Sequence, residues 1–186
     1  MKRAEVLELL AEQKASALSV ATMRAVAPWH AAGGGASHHI DCMGCMGGAA
    51  SLGLGLALAK PERKVIVLDG DGSLLMQLGI LTSVAGTGAE NYYHVVLANR
   101  VYETSGHQPI PASDKVDFAA LARAAGYAHA ESFDDIGVLR ERLAGVLERR
   151  GPVMLALEID PEFEREQMPR LQPDKQISVM RSQLTG

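Results

Sequence analysis

A strongly apolar segment that ends in a glycine-rich turn constrains the fold of this chain more than any other feature. Residues 64–69 have the sequence KVIVLD, and Gly70-Asp71-Gly72-Ser73 follows them directly. Such near-continuous apolar runs, rich in β-branched residues, are typical of strands buried on both faces, which occur mostly in parallel sheets. The segment therefore favours an α/β fold in which helices cover both sides of the sheet.

The remaining patterns alternate between strand-like and helix-like along the chain. Strands are predicted at 17–22, 93–98, 127–130 and 153–159, helices at 2–14, 49–59, 74–84, 116–125 and 134–149, and irregular structure from 23 to 48. This succession predicts a three-layer, doubly wound and mostly parallel sheet that binds ligands at the carboxyl ends of its strands. The 186 residues suit one domain, and the charged segment 161–186 is predicted to be a peripheral C-terminal arm.

Composition argues against several classes of function. The net charge of -4 leaves no broad basic surface for nucleic acid or an anionic membrane. No segment approaches the roughly 18 apolar residues that a membrane-spanning helix needs. Two cysteines, Cys42 and Cys45, are too few for a disulfide framework. We therefore expect a cytoplasmic protein that binds a small molecule.

The residues of the glycine-rich turn suit a phosphate ligand. Gly70 and Gly72 allow a steep turn and close approach of the backbone, and the N–H groups of Gly72 and Ser73 are predicted to face a phosphate. The carboxylate of Asp71 would repel that phosphate unless a hard divalent cation such as Mg²⁺ bridged the two. Taken alone, the motif is explained better by a tight turn that caps a helix.

A second polar residue follows the next predicted strand. Asn99 stands 28 residues after Asp71, a spacing that accommodates one helix and one strand. Because the carboxyl ends of parallel strands lie at one edge of a sheet, we expect the two side chains to lie close together.

This combination resembles the thiamine diphosphate-dependent enzymes, in which Gly-Asp-Gly is followed, after one helix and one strand, by an Asn that usually ends an Asn pair. Here Ala98 takes the place of the first Asn. The resemblance implies that Mg²⁺ is bound by the side chains of Asp71 and Asn99 and by the backbone carbonyl of Val101. The residues that it assigns to cofactor binding are Gly44, Cys45, Met46, Gly70, Asp71, Gly72, Ser73, Asn99, Val101, Tyr102 and Glu103.

The segment GCMGGAASLGLGLALA, residues 44–59, resembles the loop of this family that receives the aminopyrimidine ring. The resemblance implies that the side chain of Met46 holds the cofactor in its bent form. It also implies that the Gly44 carbonyl and the Met46 N–H meet the pyrimidine. The alternative is that Met46 is ordinary core filling.

Cysteine and histidine residues near this loop permit other interpretations. His38 and His39 precede the Cys42-x-x-Cys45 pair, which is compatible with a zinc or thiol-redox site, although small buried thiols explain the pair better. In the polar loop 102–108, His107 is a candidate catalytic residue. Together with Arg100 it is also a candidate for binding a substrate anion, the alternative being an ordinary surface position.

The stretches LDGDGSLLMQLG and VYETSGHQ resemble one branch of the family, the phosphonopyruvate and sulfopyruvate decarboxylases. This resemblance implies decarboxylation of a small anionic 2-oxo acid with thiamine diphosphate and Mg²⁺. It also implies a β-type subunit in a hetero-oligomer, because the catalytic glutamate is expected on a separate pyrimidine-binding α subunit; alone, the chain is expected to form a homodimer. The alternatives are a subunit of an acetolactate synthase-like carboligase or of a 2-oxoacid oxidoreductase, or a non-catalytic cofactor-binding module.

Overall fold

The computed structural model describes residues 1–163 and 172–185 of the chain. Its strands are β1 (Leu18–Thr22), β2 (His39–Cys42), β3 (Val65–Gly70), β4 (Tyr92–Ala98), β5 (Val101–Tyr102), β6 (Gln108–Pro109), β7 (His129–Phe133) and β8 (Val153–Glu158). Its α-helices are α1 (Arg3–Lys14), α2 (Val26–Ala31), α3 (Gly48–Ala59), α4 (Asp71–Met76), α5 (Ile80–Thr87), α6 (Phe118–Ala125), α7 (Ile136–Leu147) and α8 (Pro173–Thr185).

Within the described residues, six parallel strands form one sheet in the order β2-β1-β3-β4-β8-β7, and β5 pairs with β6 in a short antiparallel hairpin. The chain runs outward from β1 to β2 on one side and from β3 through β4 on the other. The strand order therefore reverses between β1 and β3, and ligands bind at such switch points in doubly wound sheets. The fold class predicted from the sequence is confirmed.

Residues of β3 show why the sheet lies between two layers of helices. The side chains of Val65 and Val67 join the core formed with α3, α5, α6 and α8, whereas Ile66 and Leu68 join the core formed with α1, α2 and α7. All four are at most 1% exposed. Alternate residues of a strand point to opposite faces, so a continuous apolar run is what a strand in this position requires.

Two helices on opposite faces begin at aspartate caps. The Asp117 carboxylate accepts a hydrogen bond of 2.8 Å from the Ala120 N–H, and the Asp135 carboxylate accepts one of 2.9 Å from the Val138 N–H. Each satisfies an N–H group that has no partner within its helix. The predicted helices at 116–125 and 134–149 accordingly begin two residues later, at Phe118 and Ile136.

The predicted helix at 74–84 is wrong in its boundaries. The structure has two helices here, α4 beginning at Asp71 and α5 beginning at Ile80. The break spans Gln77 to Gly79, and glycine is a poor helix former. The loop before α3 packs into this break, since a Cβ added to Gly47 would lie only 2.8 Å from the Cβ of Gln77.

The stretch 23–48, predicted to be irregular, contains α2 and the strand β2. Strand β2 was missed because its sequence, His-Ile-Asp-Cys, lacks the apolar run of the central strands. It lies at one edge of the sheet and pairs there with β1.

Part of the predicted C-terminal arm forms α8, which packs on β2. Its Met180 side chain is 3% exposed and belongs to the core, while the Gln183 side-chain oxygen accepts a hydrogen bond of 3.1 Å from the His38 N–H. Residues 164–171 and 186 of the arm lie outside the described residues. Across the described ranges, no helix combines the length and apolar character that crossing a membrane requires.

Candidate functional site

A pocket opens at the carboxyl ends of β1, β3 and β4, beside the point where the strand order reverses. Thr22 at the end of β1, Gly70 at the end of β3 and Asn99 just after β4 all contribute to its wall. Met46, Asp71 and Tyr102 line the same pocket. The structure thus brings the glycine-rich turn, Asn99 and the Met46 loop to one pocket.

Asp71 lies at the centre of the hydrogen bonding between the two strand ends. Its carboxyl group is 2% exposed and accepts hydrogen bonds from the Gly72 N–H at 2.7 Å and the Arg100 N–H at 2.6 Å. The second bond ties the turn after β3 to the segment after β4. The Asn99 side-chain oxygen accepts a hydrogen bond of 3.1 Å from the Val101 N–H.

The environment of Asp71 is unfavourable for its negative charge. Burial raises the pKa of this carboxyl group to about 6, although the N–H groups of Arg100 and Gly72 and the charge of Arg100 act in the opposite direction. The Arg100 guanidinium itself is directed elsewhere, because it pairs with Glu158 and donates to the Val116 carbonyl at 2.8 Å. A divalent cation beside Asp71 and the Asn99 oxygen would stabilise the ionised form, so these oxygen donors fit a hard cation such as Mg²⁺.

Gly72 permits the close packing of an aromatic ring on the turn. A Cβ at this position would lie 2.4 Å from the Tyr102 ring, so another side chain would displace that ring from the pocket wall. The N–H of Gly72 was predicted to be available to a phosphate. In the structure this N–H donates a hydrogen bond to the Asp71 carboxylate, and its availability to a phosphate stays a prediction.

The loop that carries Met46 is fixed to the glycine-rich turn. The Gly47 N–H donates a hydrogen bond of 2.9 Å to the Ser73 hydroxyl, and Gly47 has a φ of 83°, which other residues rarely adopt. Met46 itself is half-buried, whereas Gly44 and Cys45 are exposed. The turn and the loop therefore form one continuous wall around the pocket.

Glu103 forms a buried network of charges along another wall of the pocket. Its carboxylate accepts two hydrogen bonds from Arg3, at 2.6 and 2.7 Å, one from Arg24 at 3.1 Å, and one from the Glu162 N–H at 2.7 Å. Burial acts to raise the pKa of Glu103, but the Glu162 N–H and the charge of Arg3 outweigh it and hold the pKa below its usual range. Glu103 thus joins α1, the loop after β4 and the chain after β8. No sequence pattern indicated a role for Arg3 or Arg24.

The two candidate residues for a substrate anion lie apart from the described lining of the pocket. The His107 ring stacks on Phe163 with centroids 4.5 Å apart, and its Nε2 lies 3.2 Å from the Glu162 carbonyl oxygen. Arg100 pairs with Glu158, as noted above. Neither side chain is among those that line the pocket beside Asp71.

A row of buried polar side chains, which was not predicted from the sequence, lies behind the glycine-rich turn. The Asp69 carboxylate accepts a hydrogen bond of 2.9 Å from the Gly70 N–H and lies 3.3 Å from His94 Nε2, and His94 Nδ1 lies 3.3 Å from the Tyr127 hydroxyl. Asp69 and His94 are fully buried. The sequence did contain an indication of this row. Asp69 comes at the end of the apolar run of β3, and His94 interrupts the apolar run of β4.

The cysteine pair does not join the histidines in a common metal-ligand group. Among the described residues, the group that could hold a metal consists of His30, His39 and Asp41. Both are free thiols, but Cys42 is only half-buried and Cys45 is exposed, so the expectation of two buried thiols is wrong for Cys45.

Residues 22–157 match the family model described as the C-terminal TPP binding domain of thiamine pyrophosphate enzymes. The chain therefore belongs to this family, which agrees with the resemblance drawn from its motifs.

The chain is also similar in sequence to decarboxylases with known names. It is 42% identical over 123 residues to a phosphonopyruvate decarboxylase of Streptomyces hygroscopicus, covering 66% of this chain and 30% of that protein. It is 41% identical, also over 123 residues, to a sulfopyruvate decarboxylase subunit beta of Methanothermobacter thermautotrophicus, covering 66% of this chain and 63% of that subunit. The matches thus span less than two thirds of either relative.

The fold is also that of benzoylformate decarboxylase from Polynucleobacter necessarius. The TM-score is 0.67 at 18% identity, and the match covers 87% of this chain and 33% of that one. At this identity the likeness concerns the fold alone.

Proposed function

We propose that this chain is the diphosphate-binding β-type subunit of a thiamine diphosphate- and Mg²⁺-dependent decarboxylase, a carbon–carbon lyase. Its substrate would be a small anionic 2-oxo acid of the sulfopyruvate or phosphonopyruvate type. The observation that carries the proposal is the meeting of Asp71, Asn99 and the Met46 loop in one pocket.

The proposed cation site uses oxygen donors from two neighbouring strand ends. The Asp71 carboxylate and the Asn99 side-chain oxygen would bind Mg²⁺ together with the Val101 carbonyl. A cation there would offset the burial that raises the pKa of Asp71 to about 6. It would also neutralise part of the negative charge of the cofactor diphosphate.

When bound, thiamine diphosphate would supply the nucleophilic carbon and the electron sink that decarboxylation of a 2-oxo acid requires. The residues of this chain bind and orient. Met46 would support the bent cofactor, and the Tyr102 ring on Gly72 limits the space for water beside the turn. The hydrogen bond from the Gly47 N–H to the Ser73 hydroxyl joins the Met46 loop to the glycine-rich turn.

A partner chain is part of the proposal. The match to a relative that is itself named as subunit beta supports a hetero-oligomer. The partner would be a pyrimidine-binding α-type chain that contributes the catalytic glutamate. Without it, this chain would form a homodimer.

Calorimetry tests the cofactor site directly. Thiamine diphosphate with Mg²⁺ would be titrated into the chain, alone and mixed with a candidate α-type chain. We expect binding that Asp71→Ala and Asn99→Ala abolish and that Asp134→Ala retains, since Asp134 is exposed at the far edge of the sheet. Unchanged binding in the first two variants would refute the site.

Product analysis separates the proposed reaction from its alternatives. The reconstituted pair would be assayed for carbon dioxide and aldehyde from sulfopyruvate, phosphonopyruvate and pyruvate. Acetolactate from pyruvate would instead indicate a carboligase, and reduction of an electron carrier would indicate an oxidoreductase. Cofactor binding without turnover of any 2-oxo acid would favour a non-catalytic binding module.

A further inference from the structure

A second cluster of potential ligands lies at the β2 edge of the sheet, outside the pocket. His30 of α2 and His39 and Asp41 of β2 converge there, and their donor atoms lie within 4.8 Å of one another. We propose that these three side chains form a binding site for a divalent transition-metal cation, Zn²⁺ in the first place. This site is independent of the proposed enzymatic function.

The spacing of the donor atoms is close to that of a coordination shell. Asp41 oxygens lie 2.8 Å from His39 Nε2 and 3.0 Å from His30 Nε2. With bonds of about 2.0 Å to Zn²⁺, neighbouring ligands of a tetrahedral site are about 3.3 Å apart. The two imidazoles therefore need to move a few tenths of an ångström from the carboxylate, and His30 must also turn so that the three donor atoms, now within 4.8 Å of one another, close around the cation.

Burial makes the cluster rigid on one side and accessible on the other. The side chains of His39 and Asp41 are 1% and 3% exposed, whereas that of His30 is 28% exposed. A cation can enter past His30, and rotation of this half-exposed ring brings its nitrogen to the bonding distance. His39 and Asp41 provide the fixed part of the site.

Ser19 orients the buried imidazole, as residues behind metal ligands commonly do. Its hydroxyl lies 2.8 Å from His39 Nδ1 and accepts a hydrogen bond of 3.4 Å from the Trp29 indole N–H. A hydroxyl can donate to Nδ1 or accept from it. Neutral His39 can therefore carry its proton on Nδ1. In this tautomer the Nε2 lone pair is free to bind the metal, and the imidazole does not have to lose a proton.

The ligand types suit a transition-metal cation. Asp41 offers a carboxylate oxygen, and His30 and His39 each offer an imidazole nitrogen. Carboxylate oxygen and imidazole nitrogen are both ligands of Zn²⁺ in proteins.

The donor set also discriminates among cations. Two imidazoles and one carboxylate suit Zn²⁺, Co²⁺ or Ni²⁺, whereas Mg²⁺ prefers oxygen donors throughout. A bound metal would join α2 to β2. Through Gln176, whose side-chain N–H donates a 2.6 Å hydrogen bond to Asp41, it would also fix α8.

Titration with Co²⁺ tests the site because its visible absorption reports the ligands. The full chain would be stripped of metal with a chelator and titrated with CoCl₂ in the presence of excess Mg²⁺. We expect one equivalent to bind with the weak visible bands of nitrogen and oxygen ligands, followed by displacement by Zn²⁺. Absence of saturable binding would refute the proposal, and an intense near-ultraviolet thiolate band would assign the metal to Cys42 and Cys45 instead.

Variants locate the binding. His30→Gln removes the most exposed ligand and preserves the fold, which circular dichroism would verify. It is expected to weaken Co²⁺ and Zn²⁺ binding at least about 30-fold, a typical cost of disturbing a metal site. The control His129→Gln changes a histidine of β7, at the opposite edge of the sheet, and the double variant Cys42→Ser, Cys45→Ser removes both thiols; both should bind as the parent does. Unchanged affinity in folded His30→Gln would overturn the assignment.

Discussion

Two aspartates with buried side chains, Asp71 and Asp41, differ in the direction in which their surroundings shift the pKa of the carboxyl group. Asp71 follows the central strand β3, and burial raises the pKa of its carboxyl group to about 6. Asp41 lies in the edge strand β2, where burial is outweighed by hydrogen bonds that lower its pKa to about 2. The side chains of both are almost inaccessible to solvent.

The difference lies in the groups around each carboxylate. Two backbone N–H groups contact Asp71, whereas two imidazoles and the Gln176 amide contact Asp41. Burial alone therefore does not decide the charge of a carboxyl group; the donors that face it do. The first environment needs a cation to stabilise the ionised form, and the second already stabilises it.

The largest expected difference between variants of Asp71 and of Asp41 is in their affinity for the cofactor. Asp71→Ala in the complex with the α-type chain is expected to weaken binding of thiamine diphosphate with Mg²⁺ at least about 100-fold, because it removes a metal ligand. Asp41→Asn should change that affinity less than about 3-fold, an energy below 1 kcal/mol. Calorimetry measures both; similar losses in the two variants would show that the distinction between the sites is mistaken.

Stability should respond differently when each carboxylate is replaced by an amide. In metal-free protein at pH 7.5, Asp41→Asn is expected to lower the free energy of unfolding by about 2–3 kcal/mol, because hydrogen bonds to a charged group are lost. Asp71→Asn is expected to lower it by less than about 1 kcal/mol, because removing a buried charge offsets the loss of one of the two backbone N–H hydrogen bonds that the carboxylate accepts. Urea denaturation monitors both, and an equal loss in both variants would contradict this expectation.

The pH dependence of stability sharpens the comparison further. The folded pKa of Asp71, about 6, exceeds the unfolded value of 3.8, so the folded state holds this proton more tightly. The contribution of this proton to the free energy of unfolding is therefore complete below pH 4. As the pH rises through 6 this contribution is lost, and stability falls by up to about 2 kcal/mol. Asp41 contributes above pH 4 and loses its contribution as the pH falls towards 2. Urea denaturation from pH 4 to 7.5 should show the first decline in the metal-free parent and lack it in Asp71→Asn.

The smallest effect concerns the contact between the turn and the Met46 loop. Ser73→Ala removes the acceptor of the Gly47 N–H and should cost about 1 kcal/mol of stability. Ser83→Ala, at an exposed position of α5, is a matched control that should cost less than about 0.5 kcal/mol. Thermal denaturation compares the two; equal midpoints would mean that this hydrogen bond does not hold the loop.

The sequence predicts the centre of the fold better than its edge. Strand β3 and the meeting of Asp71 with Asn99 follow from an apolar run and from strand ends that share one edge of the sheet. Strand β2 is polar and short, so its place depends on pairing with β1 rather than on its own pattern.

Contacts between side chains distant in sequence were not predicted either, because they also depend on the tertiary fold. Arg3 and Glu103 are separated by 100 positions, and only the tertiary fold brings them together. A pattern of spacing contains no information about such a pair. The same applies to Arg100, whose φ of 66° and ion pair with Glu158 direct its side chain away from the pocket.

Two glutamines of α8 act on backbone groups at the outer edge of the sheet. The side-chain oxygen of Gln176 accepts from the Asp41 N–H at 3.2 Å, and that of Gln183 accepts from the His38 N–H. An edge strand with unpaired N–H groups is a template for adding a strand from another molecule. Because glutamine amides occupy these donors, another strand would have to displace α8 to extend the sheet there. Assembly with a second chain is thereby directed away from this edge, and loss of α8 would expose the molecule to edge-to-edge aggregation.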